Sequence, residues 1–329
     1  MLKAIFIMED KSYEDVYSSQ TRKKIEKLLD ISKGQFTRED IEEDPAILKD
    51  IDIIMGGWGM PVLSKDFLAN APKLKAVFYA AGSVKNFVTD DFWDRDILLT
   101  SAHDANSIPV AEFTLAQIIF SLKQGWKHIN HCKKKKSFQV LPLIGAYKST
   151  VGLVSLGTIG KKVCDLLNVL DVKVLVYTTS PSKERAERLN VEFCSLKKLF
   201  KESDVISLHT PWLKETEGMI DEKLLSLMKP YATIINTARG AVINEADLIH
   251  VLKNRPDLYA VLDVTYPEPP SHESELYTLP NSILTPHIAG SKNKECRRMG
   301  EAMYQELENY LSGQPLECQI QKENIENQA

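Results

Sequence analysis

The sequence has no apolar run approaching the ~20 residues of a membrane-spanning helix. It also has no large excess of either charge and no cysteine pair at metal-ligand spacing. Its net charge is −4, from 41 Lys and Arg against 45 Asp and Glu. That balance argues against a nucleic-acid partner and gives no reason to expect a membrane one. The basic run Lys133–Lys136 follows a predicted helix and reads as its solvated end. The five cysteines (Cys132, Cys164, Cys194, Cys296, Cys318) are odd in number and scattered, which fits reduced thiols in a cytoplasmic protein. The run from Met1 to Met8 is too short for a signal peptide, and Glu9 and Asp10 follow it.

What is present is an ordinary globular composition, 43% hydrophobic and 26% charged, over 329 residues. That length suits two domains. Short apolar runs at Leu2–Met8, Ile51–Met55, Leu74–Ala80 and Leu98–Ser101 read as strands. A helical stripe (Ile25, Leu28, Leu29) and a short helix at Asp66–Ala71 lie between them. Such alternation implies a parallel α/β sheet, and this first unit ends near residue 103. Helical spacing from Val110 to about His131 is long enough to link two domains, and residues 137 to 150 read as a loop. Alternation then resumes, with strands at Val172–Tyr177, Val191–Cys194, Val205–Leu208, Thr233–Ile235, Tyr259–Val264 and Ile283–Leu284, predicting a doubly wound sheet of about six strands. Residues 292 to 311 form one amphipathic helix closed by Gly313 and Pro315, and the polar tail from Glu317 is expected to fray.

The second unit opens on Val151-Gly-Leu-Val-Ser-Leu-Gly-Thr-Ile-Gly160. A buried strand, a glycine turn and a helix in succession form the setting of a dinucleotide fingerprint. Gly157 lets the backbone approach a pyrophosphate, Gly160 lets helix and strand pack closely, and the helix start offers free N–H groups. The first glycine of the fingerprint is missing, and Ser155 stands there. A ligand-free glycine turn is the alternative reading. Three charged groups follow later strands: Arg239 in Asn236-Thr-Ala-Arg-Gly240, Glu268 in Tyr266-Pro-Glu-Pro269, and His287 in Thr285-Pro-His-Ile-Ala-Gly290. Ligands of open α/β sheets bind beyond strand carboxyl ends. Singly, these residues read as a surface ion pair, a solvated acid and a core histidine. Together they supply a cation for a carboxylate, an acid/base, and a carboxylate to orient that base.

With Leu262-Asp-Val264, Pro109-Val-Ala-Glu-Phe113 and Ala80-Ala-Gly-Ser-Val84, these stretches resemble the D-isomer-specific 2-hydroxyacid dehydrogenase family over residues 74 to 312. Residues 1 to 70 match only in strand pattern. The resemblance implies two doubly wound parallel-sheet α/β domains with the active site in their cleft. It places a discontinuous substrate-binding domain at 1–103 and 292–329, and a Rossmann dinucleotide-binding domain at 104–291. It implies reversible hydride transfer between a nicotinamide cofactor and C2 of a small 2-oxo or D-2-hydroxy acid. Arg239, Glu268 and His287 would be catalytic: Arg239 holds the substrate carboxylate, His287 moves the proton, and Glu268 orients the imidazole. Ala81, Gly82 and Ser83 would bind substrate with Arg239 and His287. The cofactor would meet Ser155, Gly157, Thr158, Ile159, Gly160, Thr178, Thr179, Ser180, Lys183, Thr210, Pro211, Thr237, Ala238, Asp263, His287 and Gly290. No metal is needed. Family members are commonly homodimers.

The turn after Tyr177 carries no acid for the ribose hydroxyls of NAD until Glu184. Its hydroxyls, with Lys183 and Arg185, suit a 2′-phosphate, so NADP is favoured over NAD. Trp58, Met60, Tyr79 and Trp212 are candidates to line an apolar substrate pocket, with core or surface packing as the alternative. A dinucleotide-sensing binding protein on the same fold, corepressor-like, remains the rival reading. The retained catalytic groups do not separate the two.

Overall fold

Ala4–Ile7 (β1) is apolar at every position because the strand is covered on both faces. Ile5 and Ile7 enter one hydrophobic core, and Ala4 and Phe6 enter the opposite one. The computed structural model describes residues 1–327, so residues 328 and 329 of the expected substrate domain lie outside the described residues. The chain divides into two units, Met1–Ser107 with the segment from Ser291, and Ile108–Gly290.

In the first unit, β1 pairs in parallel with Gln35–Phe36 (β2) and Ile53–Gly56 (β3), followed by Ala76–Tyr79 (β4) and Leu98–Ser101 (β5). The order β2-β1-β3-β4-β5 is a doubly wound one. The helix Arg297–Ser312 returns to this unit and buries Met299, Met303 and Leu307 on the Phe6 side of the sheet. It is preceded by a separate tight turn of helix at Asn293–Cys296, rather than running unbroken from 292. Of the stripe Ile25, Leu28 and Leu29, Ile25 ends the second of two short helices, Asp10–Val16 and Ser19–Ile25, and Leu28 and Leu29 lie in the turn beyond it. Ser18 caps the second helix by accepting from the Thr21 N–H at 3.1 Å.

The tail does not fray at Glu317. Ser101 N–H donates to Cys318 O (3.0 Å) and Ile320 N–H to Leu99 O (2.8 Å), so these residues lie antiparallel along β5. The buried carboxylate of Glu306 accepts the N–H groups of Glu317 and Cys318, both at 3.0 Å.

The second unit holds seven parallel strands: Thr150–Val154 (β6), Lys173–Tyr177 (β7), Glu192–Phe193 (β8), Val205–Leu208 (β9), Thr233–Asn236 (β10), Tyr259–Leu262 (β11) and Ser282–Leu284 (β12). Their order is β12-β11-β10-β9-β6-β7-β8. β6 therefore has β7 on one side and β9 on the other, which is the topological switch point where a Rossmann sheet takes its ligand. The expected linking helix begins earlier and breaks sooner. It runs His103–Leu122 with Pro109 inside it, and Gln124, at φ +51°, separates it from a second helix, Gly125–Lys135. His103–Leu122 is long and apolar enough to cross a membrane by length and composition alone. Half of that stretch is nevertheless buried, with Ala111, Ile118 and Leu122 packed into the core that holds Val151 and Leu153 of β6.

Candidate functional site

Three consecutive neighbours in the second sheet (β10, β11 and β12) end in loops that carry the charged groups singled out above. After β10, the fully buried Asn236 folds the chain into a fixed turn. Its Oδ1 accepts from the Ala238 N–H (3.0 Å) and its Nδ2 donates to Arg239 O (2.9 Å). Thr237, in the same turn, shares a buried hydroxyl contact of 3.0 Å with Thr114 of the long helix. Arg239 is mostly buried, and its Nη1 donates to Ala238 O at 2.6 Å. Burial draws the guanidinium below its ordinary pKa, and the carboxylate of Glu268 opposes that shift. Gly240 is obligatory: a Cβ there would lie 2.0 Å from the Thr265 carbonyl carbon, so the turns after β10 and β11 touch backbone to backbone.

After β11, Asp263 is buried and faces inward. Its Oδ1 accepts from Thr285 Oγ1 (2.6 Å) and Ile288 N–H (2.9 Å), and its Oδ2 accepts from Ala289 N–H (2.8 Å). Asp263, which the resemblance puts among the cofactor contacts, thus holds through its carboxylate the loop that presents His287. His287 itself sits at φ +52°, a conformation non-glycine residues adopt only where their surroundings impose it. Its Nδ1 lies 2.6 Å from Glu268 Oε1. Both side chains stay accessible, at 51% and 42% exposure, so an outside molecule can reach the free Nε2. Glu268 fixes the ring through the other nitrogen.

The turn after β6 meets the demands of a dinucleotide. Gly157 caps the helix Thr158–Leu167, and no atom lies within 4 Å of a Cβ built on it, leaving open space where a phosphate would approach. The first-turn N–H groups at Thr158, Ile159 and Gly160 face that opening without intrahelical partners. Gly160 cannot carry a side chain, since its Cβ would stand 2.7 Å from Ser155 O. Ser155 occupies φ +80°, the conformation for which the fingerprint uses glycine. Ser155→Gly is therefore expected to stabilise the fold by roughly 0.5–1.5 kcal/mol, read as a higher urea midpoint. A lower midpoint would mean that the serine hydroxyl makes a bond worth more than the strain.

Beyond β7, Thr178 accepts from the Ser180 N–H (3.4 Å), while Thr179 and Ser180 are exposed. Lys183 points to solvent, 3.9 Å from Glu187. Its neighbour Arg185 turns inward, donating to Ser180 O (2.8 Å), Ser180 Oγ (3.0 Å) and Leu156 O (3.3 Å), and so spans the two turns at the switch point. Among the four pocket candidates, Met60 and Tyr79 are buried and Trp58 packs partly against the same core, whereas Trp212 stands exposed. In the first unit, Ser101 Oγ donates to Ala81 O (3.0 Å) and Gly82 O (2.6 Å), which fixes the segment Ala81–Ser83 beyond β4.

One group at these strand ends carries no sequence signal. His209 follows β9, with Thr210 and Pro211 beyond it, and its N–H donates to Val154 O (2.9 Å). The ring is buried with neither nitrogen partnered, and burial pushes its pKa down to about 4. The folded chain thus refuses a proton that the unfolded chain accepts below its ordinary 6.5. The contribution of His209 to stability is complete above that pH and is lost progressively as pH falls towards 4, by about 3 kcal/mol in all. His209→Gln should flatten that part of a urea-stability curve against pH.

Residues 115–289 match the family described as D-isomer specific 2-hydroxyacid dehydrogenase, NAD binding domain. The chain belongs to the D-isomer-specific 2-hydroxyacid dehydrogenase family. It is 32% identical over 260 residues to D-3-phosphoglycerate dehydrogenase of Archaeoglobus fulgidus, covering 78% of this chain and 49% of that protein. It is 32% identical over 265 residues to glyoxylate reductase of Thermococcus litoralis, covering 77% and 78%. The chain thus spans about half the length of the phosphoglycerate dehydrogenases it matches. D-mandelate dehydrogenase of Rhodotorula graminis shares the fold, with a TM-score of 0.80 at 22% identity over 98% of each chain. Within this family fold, the strand-end loops bring Arg239, Glu268, His287 and Asp263 onto one edge of the sheet. Ala81–Ser83 belong to the other unit, and Lys183 does not turn towards the fingerprint.

Proposed function

We propose that this protein is an NAD(P)-dependent oxidoreductase that interconverts a small 2-oxo acid and the corresponding D-2-hydroxy acid. The observation that carries the reading is the His287–Glu268 pair, closed at 2.6 Å, standing on the strand next to the Arg239 turn. A nicotinamide would supply or take up the hydride at C2. Arg239 grips the substrate carboxylate through its planar fork and polarises the neighbouring carbonyl. His287, held through Nδ1, gives its Nε2 proton to the carbonyl oxygen in reduction and takes it back in oxidation. Asp263 keeps the imidazole on station by tying down its loop. The test is a panel of 2-oxo acids with each reduced cofactor, following loss of the reduced nicotinamide and the hand of the product. Turnover to the D product supports the enzyme. Tight cofactor binding with no turnover across the panel would favour the dinucleotide-sensing alternative, for which no feature of the site speaks.

For the cofactor we propose NADP. The turn after β7 offers hydroxyls and the inward guanidinium of Arg185 in place of an acid, which supports binding of a 2′-phosphate. Titration should show tighter binding of NADPH than NADH. Thr178→Asp should reverse the order, because an anion there repels the phosphate and accepts from a ribose hydroxyl. Tighter NADH binding by the unaltered protein would refute the assignment.

We also propose a homodimer in the cytoplasm. Exposed Phe138, Val140 and Tyr147, beside Ile119, Phe120 and Ile129 on the two helices before them, support a second copy covering this face. The mass in solution is the test. The five free thiols suit a reducing compartment.

A further inference from the structure

Trp212 and Tyr266 are exposed aromatic side chains at the strand ends that carry Arg239, Glu268 and His287, and no core absorbs them. Trp212 leaves the end of β9 in His209-Thr-Pro-Trp212, and Tyr266 leaves the end of β11 two residues before Glu268. β10 lies between these strands, and Arg239 emerges from its end. The two rings nevertheless meet, edge to face, with centroids 5.0 Å apart at 67°. They therefore reach across the β10 turn towards one another. Both remain about half exposed, 43% for Trp212 and 50% for Tyr266.

The arrangement is held from behind. Trp212 Nε1 donates to Glu217 Oε2 at 3.1 Å, which occupies the one polar atom of the indole and leaves its face bare. The backbone under Tyr266 is fixed by Gly240 abutting Thr265, and by Thr265 Oγ1 donating to Pro267 O at 2.8 Å. A rigid, solvent-facing aromatic corner beside a carboxylate-binding arginine is an apolar subsite for whatever that carboxylate carries.

We propose that Trp212 and Tyr266 form the wall that receives the C3 substituent of the 2-oxo acid, so that the preferred substrates bear an uncharged aromatic or bulky apolar group. This rests on the oxidoreductase reading above. The alternative occupant, a second copy of the chain, is disfavoured because the patch is only two rings wide. The larger exposed apolar face lies elsewhere, on residues 119 to 147.

The experiment compares kcat/KM for phenylpyruvate and glyoxylate in the unaltered protein, Trp212→Ala, Tyr266→Ala and Trp212→Phe, with the sedimentation coefficient of each. The unaltered protein should prefer phenylpyruvate. Each alanine variant should lower the phenylpyruvate-to-glyoxylate ratio about tenfold, mainly through KM, and Trp212→Phe should keep most of it. A ratio changed less than twofold in both alanine variants overturns the wall while leaving the oxidoreductase reading intact. So does a shift to a smaller species without a change in ratio, which would assign the pair to an interface. An unaltered protein that reduces glyoxylate or other small 2-oxo acids of the panel in preference to phenylpyruvate overturns the wall alone, and one that reduces no acid of the panel overturns both.

Discussion

Replacing His287 by alanine is expected to lower kcat by roughly 10²–10⁴ while KM changes little. The histidine is reachable at Nε2, while Nδ1 is engaged by Glu268 at 2.6 Å, so in the proposed reaction it moves a proton rather than holding the substrate. Removing it takes away an interaction made in the transition state and leaves ground-state binding to Arg239. Steady-state kinetics on the best 2-oxo acid would check this, with cofactor titration to show that the dinucleotide site is intact. A His287→Ala protein as active as the unaltered one would overturn the assignment of the whole catalytic edge.

Arg239→Ala should lower kcat/KM by roughly 10- to 150-fold, the equivalent of about 1.5–3 kcal/mol for a hydrogen bond to a charged group. The loss should be shared between KM and kcat, because in the proposed mechanism the same guanidinium holds the carboxylate and polarises the carbonyl. Arg239→Lys should recover little, since an ammonium lacks the two-point fork. Its shorter reach would also forgo the anchor on Ala238 O that sets the side chain in place. An effect confined to KM would mean that Arg239 binds substrate but does not touch the reacting carbonyl.

The placement of Arg239, Glu268 and His287 at strand ends was legible because their loops are written in residues with narrow conformational choice. Proline and glycine flank Arg239, Glu268 and His287, and each loop follows a strand apolar enough to recognise. The rest depended on tertiary pairing. β2 is two residues long, too short for a period, and exists only because β1 offers it an edge. The inward bonds of Asp263 to Thr285, Ile288 and Ala289 join strand ends far apart in sequence, so nothing local announced them. Lys183 and Arg185 look alike as cations in sequence, and only the helix Lys183–Leu189 decides which of them faces the switch point. Pro109, which lacks an N–H and usually marks a helix start, lies inside the helix, so that boundary was set too late. The docked tail was hidden because Glu306 reads as one more acid on an amphipathic helix, and nothing local tells that it is buried.

That tail bears on how the protein can be handled. The segment from Glu317 to Ile320 shields the outer edge of β5, a row of backbone donors and acceptors that would otherwise be open to another chain. Ending the chain before Glu317 would bare that edge and leave the Glu306 carboxylate buried without its two N–H partners, a combination that favours aggregation over simple loss of stability. An affinity tag joined directly to Gln319 or Ile320 would strain the same pairing, whereas Met1 is exposed and accepts an extension freely.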